Sequence, residues 1–131
     1  MESDGNFAIT FAGDDGRGWP WGYKDPDETR MPVFTQGREM PPPDDVDAHP
    51  EGVSWAGVAD LVGNVYQWTD VFTDDHTSKA VLRGSSRWRP SGSHWYQPLP
   101  NLPLYEHNTF LMMSESLDRS AGIGFRCVEE I

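Results

Sequence analysis

Four histidines, a single cysteine and many carboxylates are the residues of this chain whose types could do chemistry. His49, His76, His94 and His107 include no pair at i, i+4 of the His-Glu-x-x-His kind, which would aim two imidazoles at one zinc ion. Scattered in this way, they read as loop and surface residues. A Ser-His-Asp triad could be composed from His94 or His107 with one of several serines, but no Gly-x-Ser-x-Gly elbow exists to expose a nucleophile. Cys127 cannot form an internal disulfide, being alone. It reads as a small buried hydrophobe in an apolar strand, since a reactive thiol needs an electropositive, partly open setting. The glycines of "GDDGRG" do not make a phosphate loop, because the Lys-Ser/Thr ending is missing and no strand-to-helix context follows.

The carboxylates Asp14, Asp15, Asp25, Asp27, Glu28, Asp44, Asp45 and Asp47 fall in the first half of the chain. They form either a solvated acidic surface or a source of oxygen ligands for a hard cation. The densest polar and aromatic segment is "DLVGNVYQWTD", Asp60 to Asp70. A glycine-asparagine turn there is flanked by side-chain oxygens at Asp60 and Gln67 and by the rings Tyr66 and Trp68. The chain carries six tryptophans, at positions 19, 21, 55, 68, 88 and 95. Such rings either fill a core too irregular for aliphatic layers or line a surface that stacks ligands.

With 21 acidic and 10 basic residues the formal net charge is −11, which opposes binding to nucleic-acid backbones and to anionic membranes. No apolar run approaches the roughly 18 residues of a membrane span. The first residues, "MESDGNFAIT", lack a basic n-region and an apolar h-region, so a soluble, cytoplasmic chain is expected. At 131 residues a single domain with a modest core is expected over 1–131.

The elements that must position these residues are short. Seven of the prolines precede residue 51, which rules out long regular elements there. "FAITFAG" alternates like a short strand, and "PPPDD" reads as extended. In "GVADLVGNVYQWTDVF" the apolar positions Val58, Leu61, Val62, Val65, Trp68 and Val71 are interrupted by Gly63. A turn at Gly63-Asn64 leading into a strand is predicted. "KAVLRGSS" reads as a strand closed by a glycine turn, and "GIGFRCVEE" as a final strand with Ile123, Phe125 and Cys127 facing one way. Between them runs a long stretch of low periodicity but high aromatic content, the kind of loop that packs and often carries function.

Four segments in this order, "GRGWPWG" (16–22), "GVADLVGNVYQWTD" (57–70), "AVLRGSS" (80–86) and "GIGFRCV" (122–128), give the chain its resemblance to the formylglycine-generating enzyme, or sulfatase-modifying factor, family. That resemblance implies a C-type-lectin-like fold of α+β class, irregular and loop-rich, with short antiparallel strands and little helix. It also implies that the chain corresponds to the C-terminal part of the family's domain. In the family the Gly-Asn-Val turn surrounds a calcium ion while the tryptophan anchors the segment in the core. By position the ligands would be the side chains of Asp60 and Gln67 and the carbonyls of Gly63 and Val65. Gln67 stands where the family has glutamate, so one ligand charge is missing. If no ion is held, Asn64 and Gln67 satisfy backbone groups of a tight turn.

The family's oxidases use a copper-binding cysteine pair just beyond the strand and turn that match "VLRGSS". Here Arg89 and His94 fall at those positions, so no copper and no formylglycine generation are expected. The loop resembles that of the wider nonhaem-iron relatives, close to the ergothioneine sulfoxide synthases, whose iron motif lies on a separate helical domain. The resemblance therefore implies a catalytically incomplete module that binds a small ligand, a peptide or a partner chain through its 86–120 loop. Arg87, Trp88, Arg89, His94, Trp95, Tyr96 and Tyr105 are its candidate contacts. Two alternatives stand beside it: the substrate-binding part of an iron- and oxygen-dependent enzyme whose iron is supplied elsewhere, and a ligand-display protein.

Overall fold

A computed structural model describes residues 15–74, 76, 78–91, 102–112 and 120–127. Six short strands are found there: β1 (Thr35–Gly37), β2 (Tyr66–Phe72), β3 (Lys79–Arg83), β4 (Trp88–Pro90), β5 (Asn108–Leu111) and β6 (Ile123–Gly124). A single turn of 3-10 helix, Pro50–Gly52, is the only helical element among the described residues. The expectation of a loop-rich α+β chain with short strands and little helix is met.

The main sheet has the order β5-β3-β2-β6, and β1 pairs with β4 in a separate two-stranded ribbon. β2 with β3 and β3 with β5 pair antiparallel, as the short antiparallel strands implied by the resemblance would. The β1–β4 and β2–β6 pairs are instead parallel. Each joins segments about fifty residues apart, so the chain arrives from a long connection and not from a hairpin, and either direction is open to it.

β2 begins where predicted. Gly63, at φ +98°, makes a turn that L side chains adopt only with strain, and the β-branched and aromatic residues after it favour the extended form. β3 lies between β2 and β5, and its residues Ala80 to Arg83 are all buried. It ends at Gly84, at φ +74°, where the predicted glycine turn falls. The core gathers Tyr66, Leu82 and Leu102, with Trp68, Phe110 and Ile123 packed against them. Trp68 was expected to be the buried anchor, but Tyr66 takes that place. Trp68 is half-buried at the core's margin, its ring edge-on to Phe110 at 5.4 Å.

β5 was not expected. Its four residues lie in the stretch of low periodicity, and pairing with β3 rather than an amphipathic pattern of its own makes the strand. The final strand is shorter than expected and is oriented differently. β6 stops at Gly124, Arg126 turns inward, and Phe125 (76% exposed) and Cys127 face solvent. Arg126 is itself exposed overall, but with side chains alternating along extended chain the return of its guanidinium to Gln67 turns its two neighbours the other way. The strand predicted in "FAITFAG" lies outside the described residues.

Candidate functional site

Two neighbouring constructions account for most residues singled out in the sequence: a hydrogen-bonded turn around Asp60–Gln67 and an aromatic surface around Tyr105.

Alternation along β2 sends Tyr66 and Trp68 to the core and Gln67 to the other side, where it is also buried (3% exposed). The Gln67 amide nitrogen donates to the carbonyls of Asp60 and Leu61, both at 3.1 Å. Its amide oxygen accepts from Arg126 Nε at 2.6 Å, and Arg126 Nη2 donates to the Ala59 carbonyl. A guanidinium only donates and a carbonyl only accepts, so these partners fix which end of the amide is oxygen. Asp60 has φ 56°, a left-handed conformation that aspartate tolerates better than most residues. Burial raises the pKa of its carboxyl, against the opposing pull of Arg126 and His49. Burial likewise lowers the pKa of the Arg126 guanidinium, with Asp60 opposing.

Asn64 in the same turn holds the proline-rich segment. Its side-chain nitrogen donates to the Asp44 carbonyl at 3.0 Å and its side-chain oxygen accepts from the Asp44 amide at 3.1 Å. Arg87 completes the clasp. Its Nε and Nη2 donate to the Pro41 carbonyl at 2.9 and 2.6 Å, and its Nη1 donates to the Asn64 carbonyl at 3.0 Å. Arg87 is 2% exposed. Of the expected ligand contacts, it is the one most fully engaged with the chain itself.

Arg89 donates to Gln36 Oε1 at 2.9 Å, and its guanidinium carbon lies 5.9 Å from the centre of the Phe34 ring, tying β4 to the β1 segment. Trp88 is half-buried, and its indole N–H is buried without a hydrogen-bond partner. Tyr105 is open to solvent (72% exposed). A side chain placed on Gly18 would come 3.6 Å from the Tyr105 ring, and the Leu104 amide donates to the Gly18 carbonyl at 2.8 Å. Tyr105 is thereby seated beside the turn "GWPWGY". There Trp19 and Trp21 stack face to face, 5.6 Å apart and 2° from parallel, and Tyr23 is exposed. His94, Trp95 and Tyr96 lie outside the described residues.

The four proposed calcium donors meet a test in this geometry. A calcium ion takes about 6–8 oxygen ligands. The one oxygen of the Gln67 side chain is directed at Arg126, and its nitrogen is directed at the carbonyls of the turn. Among the described residues no three His, Cys, Asp or Glu side chains converge as a metal group. In this arrangement the residues do not fit the ion. Reading the sequence missed Arg126, although "GFRC" was one of the segments singled out. Its signal was a lone cation two residues beyond a glycine in an otherwise apolar strand.

With this geometry in view, comparison with known proteins gives a family. The chain matches the sulfatase-modifying factor enzyme 1-like domain over residues 2–131. It belongs to the formylglycine-generating enzyme, or sulfatase-modifying factor, family. A comparison with curated proteins gives no match.

Proposed function

We propose that the chain is a catalytically incomplete sulfatase-modifying-factor module that binds a small ligand, a peptide or a partner chain. The binding face is the aromatic surface where the 86–120 loop meets the turn at residues 18–23. The observation that supports this is the placement of Tyr105, an exposed ring held at Gly18, the residue that leads into the Trp19–Trp21 stack. Solvent-reaching aromatic rings, here the exposed Tyr105 and Tyr23 near the half-buried Trp19 and Trp21, are common anchors of a recognition surface.

The chemistry of the ligand follows from what surrounds the rings. Arg87 gives its donors to backbone carbonyls and Arg89 is engaged with Gln36 and Phe34, so aromatic faces carry the recognition. In a chain of net charge −11, such faces suit the cationic end of a zwitterion or a basic peptide. Catalytic incompleteness rests on the cysteines. The 131 residues contain one, whereas the family's oxidases are expected to use a pair. At the first of those positions Arg89 joins β4 to the β1 segment.

Titration of the purified chain with zwitterionic betaines, free amino acids and short basic peptides, read by tryptophan fluorescence, tests the binding. A saturable change with one of these classes is expected, and none with any of them contradicts the reading. Oxygen uptake is measured alongside with ferrous iron and, separately, with copper. Turnover by the chain alone would contradict incompleteness.

A further inference from the structure

In a metal-bound turn, backbone carbonyls converge on a positive charge. Around Asp60–Gln67 three carbonyls, those of Ala59, Asp60 and Leu61, converge on protein N–H groups instead. We infer that the Arg126 guanidinium, acting through the Gln67 amide, serves as a built-in cation at this turn, so that the chain holds it without calcium.

Three observations carry the inference. The first is the substitution itself. A glutamate at position 67 could keep an oxygen for Arg126, but it would have no N–H for the carbonyls of Asp60 and Leu61 and would set a carboxylate oxygen against them. Glutamine supplies two N–H groups to those carbonyls and keeps one oxygen for Arg126. The second is the enclosure. A Cβ on Gly84 would come 2.6 Å from the Leu61 carbonyl oxygen and 3.6 Å from Gln67 Nε2, so the amide sits under the turn that ends β3, with backbone close on that side. The third is charge. A divalent ion taking Gln67 Oε1 as a ligand would have to displace the guanidinium already on that oxygen, or share the site with it against direct Coulomb repulsion.

The arrangement has a structural consequence. Arg126 lies just beyond β6, and its bonds fasten the end of the described chain to Gln67 in β2 and to Ala59 in the loop before it, 59 and 67 residues away in sequence. In a calcium-held version of the turn the ion could not make that connection by itself. Here the clamp and the cation are one side chain.

The test compares melting temperatures of the wild-type chain and variants in chelator and in about 10 mM calcium, which is about tenfold above the dissociation constants of even weak calcium modules. The wild type is expected to melt at the same temperature in both and to show no calcium binding by calorimetry. Arg126→Ala is expected to melt lower in both. Gln67→Glu combined with Arg126→Ala restores the carboxylate and removes the built-in cation. It is expected to bind about one calcium per chain and to melt higher with the ion than with chelator. Calcium binding by the wild type with a rise in melting temperature overturns the inference. So does a folded double variant, judged by circular dichroism, that ignores calcium.

Discussion

The role of Arg87 can be decided by stability. Replacing it with methionine keeps most of the apolar stem and deletes every donor, so packing is largely retained while the hydrogen bonds are lost. The Asn64 carbonyl keeps the donation it receives from the Arg87 backbone amide at 3.2 Å. The Pro41 carbonyl loses both of its bonds from the guanidinium. A charge-assisted hydrogen bond contributes about 1.5–3 kcal/mol, and a buried carbonyl left unpaired costs about 1–3 kcal/mol. The expected loss is therefore about 3–5 kcal/mol, which for a chain of this size lowers the melting temperature by roughly 12–20 °C. Urea unfolding followed by tryptophan fluorescence would read it as a lower midpoint at unchanged slope. Arg87→Lys should recover only part of the loss, because an ammonium cannot span both carbonyls as the guanidinium fork does. A wild-type midpoint in Arg87→Met, with ligand binding lost, would refute the clasp and make Arg87 a ligand contact after all.

Gly84→Ala should destabilise by more than about 1 kcal/mol, since the residue has φ +74° and its new methyl would meet the Leu61 carbonyl; equilibrium unfolding gives the value. Tyr66→Ala should cost about 3–5 kcal/mol and Trp68→Ala less, because Tyr66 is buried in the core whereas Trp68 is half-buried at its margin. Burial raises the pKa of Asp60 above its ordinary 3.8, so its ionised form is disfavoured in the folded chain. Its contribution to stability is greatest below the unfolded value and is lost as pH rises through the higher folded one. Asp60→Asn should remove that part of the pH dependence and leave the chain at least as stable at neutral pH, as urea midpoints across pH would show. Asparagine also accepts the left-handed backbone at that position.

The turns and central strands were legible because local chemistry fixes them. Gly63 and Gly84 mark the positive-φ turns before β2 and after β3, and the segments around these strands have the β-branched and apolar residues of buried strands. β5 was not legible, because Asn108–Leu111 becomes a strand by pairing with β3 and shows little pattern of its own. The direction of β1 and β6 depends on long connections that no local signal encodes. At the candidate site, Tyr105 could be read as an exposed aromatic, but its seat over Gly18 could not, since the two are far apart in sequence. The clasp made by Arg87 was not legible for a related reason. An arginine beside a tryptophan looks like a ligand contact until the carbonyls of Pro41 and Asn64 are seen beneath it.

The account depends most on Tyr105 as a binding residue that the fold does not need. Tyr105→Ala should leave the melting temperature within about 1 °C of wild type, because an exposed ring contributes little to stability. Against whichever betaine, amino acid or basic peptide saturates the wild type, the variant should bind about tenfold more weakly or worse. Equal affinity in the two proteins, measured by the same fluorescence titration, would contradict the placement of the binding face.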